Sequence, residues 1–471
     1  MKQRDSNIEK LFQKLGLIRA SDLLKKEIKN ASDVKQEVEL PSQTDNPLSV
    51  NTEPTQFIKN IREKLSNVPQ KASKVGDKKP DIKTGTYNIS DTFGGEIYKY
   101  EGSSCLRFTN LYPESYKYGN ILISDALKFS AKQAKISSPG LEIPEFDVYK
   151  AIFIDTETTS CYGGTGTVAF LTGIGYFEET GTFRIEQFFM RDFDEEISLL
   201  HGISKVIKKS SILIGYNSKS FDLPLLRNRY LINRMQFPNE DVLHFDLMHV
   251  ARRFWNRRLS DCSLITVERS ILGVKRLGDI PGSLIPKIWK DYITTGKENL
   301  IPRILLHNEK DILSLVGLMA WLAERIPIPQ GKGFDEINDK LALMHLQMRC
   351  KSYEDAKETA KHLLEISDSP LTRFECWKNL SEALKKLELV EERISVLKEW
   401  AKEETNSVIP CIELAKIYEH QLRDIKIALF WTETALKIEP ANRCILKRKE
   451  RLLNKLGKVN YSLFDGIDVS E

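Results

Sequence analysis

The sequence predicts an α/β domain with a mixed sheet of about five strands and flanking helices, followed by an all-helical module. Three observations predict it. The run Ala151-Ile152-Phe153-Ile154 is apolar and partly β-branched, and it ends in Asp155-Thr156-Glu157-Thr158. A second buried run, Ile212-Leu213-Ile214-Gly215, turns through Tyr216-Asn217-Ser218-Lys219-Ser220-Phe221 into a helical pattern from Asp222. Over residues 330–460 the β signal disappears, and small and apolar residues recur: Ala360, Ile394 and Ala428 stand 34 residues apart.

Composition bounds the function. The 471 residues suffice for roughly two or three domains. With 41% hydrophobic and 29% charged residues the chain reads as soluble and globular. No apolar run approaches a membrane span, and the N-terminal Met-Lys-Gln-Arg-Asp leads into no apolar signal segment. Seven scattered cysteines form no CxxC pair, which argues against a zinc knuckle or a disulfide framework and suits a cytoplasmic location. The net charge of +4 names no partner, so any nucleic-acid surface must be local.

Taken in order, residues 1–85 read as a mobile charged arm. Ile8, Leu11, Leu15 and Ile18 have helical spacing there, and Lys71, Lys74, Lys78, Lys79 and Lys83 make its end basic. Residues 86–148 read as a preamble packing on the next domain. Gly94-Gly95 marks a turn, Tyr118–Ile123 a strand, and Ala126–Ala134 a helix capped by Ser124 or Asp125 and ended by Ser137-Ser138-Pro139-Gly140.

Residues 149–326 form the catalytic candidate. Asp155 and Glu157 are i and i+2 on one strand, so both carboxylates point to the same side at its end. Like charges that close call for a cation between them. The loop Gly163-Gly164-Thr165-Gly166-Thr167 serves either as a hairpin connection or as backbone that approaches a ligand. Strands Val168–Tyr176 and Phe183–Met190 and a helix Glu195–Ser210 follow. Asp222 stands at a helix start, where a lone Asp is by default a cap, and Asn217 and Ser220 are by default turn formers. Asp246 reads as a further cap. Arg252, Arg253, Arg257 and Arg258 flank Phe254-Trp255, a pattern that serves either a solvated face or phosphate clamping with Trp255 stacked on a base. Gly278-Asp279-Ile280-Pro281-Gly282 reads as a loop. His307 and Asp311 are i and i+4 on a late helix and share a face.

The ordered set Asp155-Thr156-Glu157, Tyr216–Leu226 with Asp222, His244-Phe245-Asp246-Leu247, Gly278–Gly282 and His307-Asn308-Glu309-Lys310-Asp311 resembles the DEDD superfamily of exonucleases, in its bacterial YprB-type branch. The resemblance covers roughly residues 110–326 and implies a ribonuclease-H-like fold. It implies that Asp155 bridges two Mg²⁺ or Mn²⁺ ions, Glu157 and Asp311 complete the first site, Asp222 holds the second, and His307 deprotonates or orients the attacking water. One departure stands out. The histidine branch usually separates His and Asp by one residue more than this chain does, so His307 as base and His307 as a positioning group both stay open.

These readings, with direction and exonucleolytic mode supplied by the resemblance, point to a metal-dependent 3′–5′ exonuclease acting on the 3′ end of DNA or RNA. Phosphate contacts would come from Gly164, Thr165, Asn217, Ser220, Arg252, Arg253, Arg257 and Arg258. Residues 330–460 resemble tetratricopeptide repeats, a module that holds a protein partner, with an irregular helical bundle as the other reading. Two alternatives for the whole are an interaction scaffold with a lapsed nuclease domain, and an endonuclease on the same fold.

Overall fold

The computed structural model describes residues 95–143, 145–160 and 166–464, with side chains through residue 457, all within the compact unit Thr52–Glu471. The arm expected at residues 1–85 lies outside the described residues, as do Gly94, Gly163, Gly164 and Thr165.

Strands β1 (Glu96–Tyr100) and β2 (Ser103–Tyr112) form a hairpin, and β3 (Lys117–Tyr118) and β4 (Ile121–Leu122) a separate small ladder. The main sheet adds β5 (Ala151–Thr158), β6 (Ala169–Phe177), β7 (Phe183–Phe189), β8 (Ile212–Gly215) and β9 (Leu243–Asp246). Its order is β1-β2-β7-β6-β5-β8-β9, with β8 parallel to both β5 and β9 and the remaining pairs antiparallel. The 7-stranded sheet is larger than expected because the preamble joins it. β2 pairs with β7 from Leu106 opposite Phe189 to Tyr112 opposite Phe183, and its alternating Leu106, Phe108 and Tyr112 are buried.

Two local expectations in the preamble are corrected. The strand expected at Tyr118–Ile123 is broken at Gly119, whose φ of +62° turns the chain back into the β3–β4 ladder. The helix expected at Ala126–Ala134 is divided into a 3₁₀ turn, Ile123–Lys128, and helix α1 (Ala131–Ser137). Ser130 decides this: its hydroxyl accepts from the Gln133 amide while the Gln133 side chain accepts from the Ser130 amide, a capping box that starts a new helix there.

Helices α2 (Glu196–Ile207), α3 (Asp222–Ile232), α4 (Leu247–Trp255), α5 (Leu264–Val267, running into a π turn Glu268–Leu272), α6 (Ile285–Thr295) and α7 (Ile301–Arg325) flank the sheet. The strand period sorts β5 between two cores. Phe153 packs with Phe183, Ile214 and Phe245 against α4 and the second half of α7. Ile152 and Ile154 pack with Leu171, Phe188 and Leu213 against α2, α3, α6 and the start of α7. Asp155 and Glu157 therefore continue the Phe153 face, and Thr156 the Ile154 face.

The C-terminal region is helical: α8 (Ile337–Arg349), α9 (Tyr353–Ile366), α10 (Pro370–Lys386), α11 (Val390–Glu403), α12 (Ile409–His420), α13 (Ile425–Ile438) and α14 (Arg443–Phe464). Residues picked out by the repeat spacing, Ala360, Trp377, Cys411, Ala428 and Ala435, are buried between these helices. The first of them is not detached from the sheet domain. Ala342, Leu343 and Leu346 of α8 belong to the same core as Trp255 and Trp321, and Phe334 stacks on Phe254 with ring centroids 5.6 Å apart.

Candidate active site

The site forms where β5 ends between α3 and α7. On one face, Asn308 of α7 donates to the Asp155 carboxylate (2.8 Å) and to the Asp155 backbone carbonyl (3.1 Å). That approach depends on β6: a Cβ at Gly173 would lie 2.1 Å from Asn308 Oδ1. Asn308 also accepts from buried Gln187 of β7 (2.8 Å), which ties α7 across three strands of the sheet. On the other face, the Thr156 hydroxyl donates to Asp222, the first residue of α3. Both faces of one strand thus bring their acids to a common edge.

On either side of Asn308 along α7, His307 and Asp311 approach Glu157. His307 Nε2 lies 3.4 Å from Asp311 Oδ2 and 4.0 Å from Glu157 Oε1. The other ring nitrogen, Nδ1, is 3.0 Å from Asp279 Oδ1 in the loop before α6. In the same loop Arg276 reaches Asp311 Oδ1 (2.6 Å), Glu268 Oε2 (2.8 Å from Nε) and Asp279 Oδ2 (3.3 Å). Its guanidinium is nearly sealed from solvent.

Burial, reinforced by like-charge crowding, sets the electrostatics. Burial, reinforced by the charges of Asp311 and Asp222, raises the Asp155 carboxyl well above the usual range, against the hydrogen bond from Asn308. Burial and the charges of Asp155 and Asp311 do the same to Glu157. Asp222 is pushed up to about 6, mainly by burial, with the Thr156 hydroxyl opposing. Burial alone would lower His307, but its hydrogen bond to Asp279 and the charge of Asp311 raise it. Burial would raise Asp279, but His307 and Arg276 hold it down at about 2. Arg276 thus pairs with Asp279 and Asp311, while Asp155 and Glu157 are crowded by like charges that oppose their ionisation.

A divalent cation fits that imbalance. Glu157, His307 and Asp311 each offer one ligand atom, and these atoms lie within 4.8 Å of one another. Carboxylates with an imidazole and no thiolate suit a hard or borderline ion.

The remaining sequence candidates separate. Asn217 sits beside the site with φ +61°, in a turn held by Asp246, which accepts from the amides of Asn217 (2.9 Å), Lys219 (3.1 Å) and Met248 (3.0 Å). Ser220 is exposed in the same turn. Arg252 is exposed and near enough to Tyr216 to act on its hydroxyl electrostatically. The other arginines are engaged by protein groups: Arg253 with the Ser137 carbonyl, Arg257 with Glu375 at the surface, and Arg258 with both oxygens of Asp339. Trp255, read as a base-stacking candidate, is corrected to a core residue at 1% exposure, because the apolar stripe of α4 turns it toward Trp321. Sequence reasoning missed Arg276, Asn308 and Thr156 as site residues, and saw Asp279 only as part of a loop.

Comparison with known proteins agrees with this picture. A family model described as RNase H superfamily matches residues 152–323, the segment from β5 through nearly all of α7. The uncharacterized protein YprB of Bacillus subtilis (strain 168) is 30% identical over 357 residues, which is 74% of this chain and 84% of that protein. Among solved structures, a family B DNA polymerase from the hyperthermophilic archaeon Pyrobaculum calidifontis aligns at 15% identity with a TM-score of 0.30. The match covers 46% of this chain and 30% of the polymerase, too loose for any argument. By its extended match to YprB and its matched domain, the chain belongs to the YprB family of the RNase H superfamily.

Proposed function

We propose that the chain is a two-metal-dependent 3′–5′ exonuclease that hydrolyses phosphodiester bonds of DNA or RNA. One observation carries the proposal: Asp155, Glu157, Asp222, Asp311 and His307 converge at the end of β5, with three of their donor atoms within 4.8 Å. Membership of the RNase H superfamily supports nuclease chemistry on nucleic acid. The direction of digestion and the exonucleolytic mode rest on the resemblance to the DEDD exonucleases.

Bound Mg²⁺ or Mn²⁺ would supply neutralising charge and acidify the attacking water. Asp155 would serve both ions, Glu157 and Asp311 the first, and Asp222 the second. Asn308 and Thr156 hold Asp155 and Asp222 in place, so little reorganisation is needed when substrate arrives. His307 presents Nε2 to the acids, where it would accept a proton from the water or orient it. Asn217, Ser220 and Arg252, with Gly164 and Thr165 of the preceding loop, would meet the substrate phosphates. Binding should then weaken with salt.

The test is digestion of end-labelled single- and double-stranded DNA and RNA with Mg²⁺ or Mn²⁺, comparing wild type with Asp155→Asn. Stepwise loss from the 3′ end, abolished in the variant and by EDTA, is the expected result. Cutting of circular substrate would replace it with an endonuclease, and an inert wild type would leave a scaffold.

For the helical region we propose tetratricopeptide-like repeats that bind an acidic peptide segment of a partner protein. A groove of about 600 Å³ between α11 and α13 has Ala401, Phe430 and Trp431 in its lining. Lys398, Lys402 and Lys437 also line it, and no carboxylate does. Phe430 is 59% exposed. Fluorescence anisotropy with a labelled Asp- and Glu-rich peptide carrying one Leu anchor should show binding that Lys402→Glu and Phe430→Ala each weaken about tenfold. A basic peptide binding as well would sink the idea.

A further inference from the structure

We propose that Asp279 is a positioning residue: it holds His307 in the tautomer with hydrogen on Nδ1, which leaves the Nε2 lone pair turned to Glu157 and Asp311. Its consequence for rate rests on the nuclease reading above.

The loop from Arg276 to Gly282 forms a clamp around the imidazole. Asp279 is fixed through both oxygens. Oδ1 accepts from the Ile280 amide at 3.0 Å and lies 3.0 Å from His307 Nδ1. Oδ2 lies 3.3 Å from Arg276 Nη1. Arg276 is fixed in turn by buried Glu268, so the carboxylate cannot swing away from the ring. Glu268 also accepts from Ser314 of α7 (2.6 Å), which joins this clamp to the helix that carries His307.

The tautomer follows from the inventory of donors. A carboxylate accepts only, and a neutral imidazole has one N–H and one lone pair. If Nδ1 lacked its hydrogen, two lone pairs would face each other at 3.0 Å. With the hydrogen on Nδ1, the lone pair falls on Nε2, 3.4 Å from Asp311 and 4.0 Å from Glu157. Three acceptors around one point need a cation or a proton between them: an Nε2–H can serve while the site is empty, and a metal ion or a water proton takes that place in the loaded site at alkaline pH. The clamp therefore prepares Nε2 to receive one of these, as an outer carboxylate does for a histidine beside a metal. A Cβ on Gly282 would come no nearer than 4.0 Å to Nε2, so the residue that closes the loop leaves this approach open.

The test reads the tautomer directly. Nitrogen-15 histidine spectra of the full chain are recorded in Mg²⁺ at mildly alkaline pH, with the His307 signals assigned by their loss in His307→Gln. The wild type should show a protonated Nδ1 and an unprotonated Nε2. Asp279→Asn keeps the shape but can turn an amide N–H toward Nδ1, so it should move hydrogen to Nε2. It should also lower kcat about 10–100-fold with KM little changed, and Asp279→Glu should recover part of the rate. Protonated Nε2 in the wild type would overturn the proposal whether or not the variants fold. An unaltered tautomer with unaltered kcat in Asp279→Asn would overturn it too. A wild type that cuts no nucleic acid would defeat the nuclease reading alone, because the spectra judge the clamp independently.

Discussion

At the scale of single residues, the geometry of Asp155 depends on an atom that is missing. Gly173 lets Asn308 reach both the carboxylate and the backbone of Asp155. Gly173→Ala should force Asn308 aside and cost about 1–3 kcal/mol, with a loss of nuclease rate of tenfold or more. Urea unfolding beside a single-turnover assay checks both. Retained rate in a destabilised variant would show that Asn308 supports the fold alone. Asp155, Glu157, Asp222, His307 and Asp311 were singled out by the resemblance of the ordered motifs to the DEDD exonucleases; local spacing alone read them as a strand-end pair, a helix cap and a His–Asp helix pair. Arg276 was not, since its partners Glu268 and Asp311 stand 8 and 35 positions away and no local pattern joins them. Trp255 was misread because arginines on either side resemble a nucleic-acid surface, while the helical stripe that buries it outweighs them.

At the scale of elements, the turn after β8 is positioned by the helix cap after β9. Asp246 was legible as a cap, and it does accept from Met248. Its second duty was not legible: it also accepts from the amides of Asn217 and Lys219, and the Asn217 bond spans 29 positions. These bonds secure the left-handed residue that leads to Asp222. Asp246→Ala should therefore cost about 1–3 kcal/mol and lower nuclease activity as well. Thermal unfolding and the digestion assay test the two halves. Unchanged activity would mean that the turn holds itself.

At the scale of the whole molecule, the helical array is closed by an ion cluster. The Glu419 side chain of α12 is fully enclosed and meets Arg448 (2.6 Å), Arg451 (2.7 Å) and Lys455 (2.7 Å) of α14. Burial would raise its carboxyl, but the hydrogen bonds from Arg451 and Lys455 overcome this and hold it at about 2. A depressed acid stabilises the fold above its unfolded value near 4.3 and loses that stabilisation as pH falls toward 2. With Arg451 and Lys455 half open to solvent and screened by it, the contribution is on the order of 1 kcal/mol near neutrality. Glu419→Gln should lower the melting temperature near neutral pH, and the gap to wild type should narrow through this acid window. A gap that stays constant with pH would refute the assignment. The all-helical character of the C-terminal region was legible from its lost β signal. The join between modules was not, because it depends on Phe334, Ala342 and Leu343 entering a core whose other members lie in α4 and α7.

That join carries a mechanical consequence. Arg258 grips Asp339 of α8 with two hydrogen bonds, and Arg257 reaches Glu375 of α10. Together with the common apolar core, these contacts make the first helices of the array an outrigger of the sheet domain rather than a tethered passenger. Cleaving the gene at the boundary near residue 330 would strip off the cover over Trp321 and leave Arg258 without its acid, so the smallest stable nuclease fragment should extend through α8. A molecule gripped farther along the array would be carried at a set bearing to the acidic end of β5, as cargo on a boom.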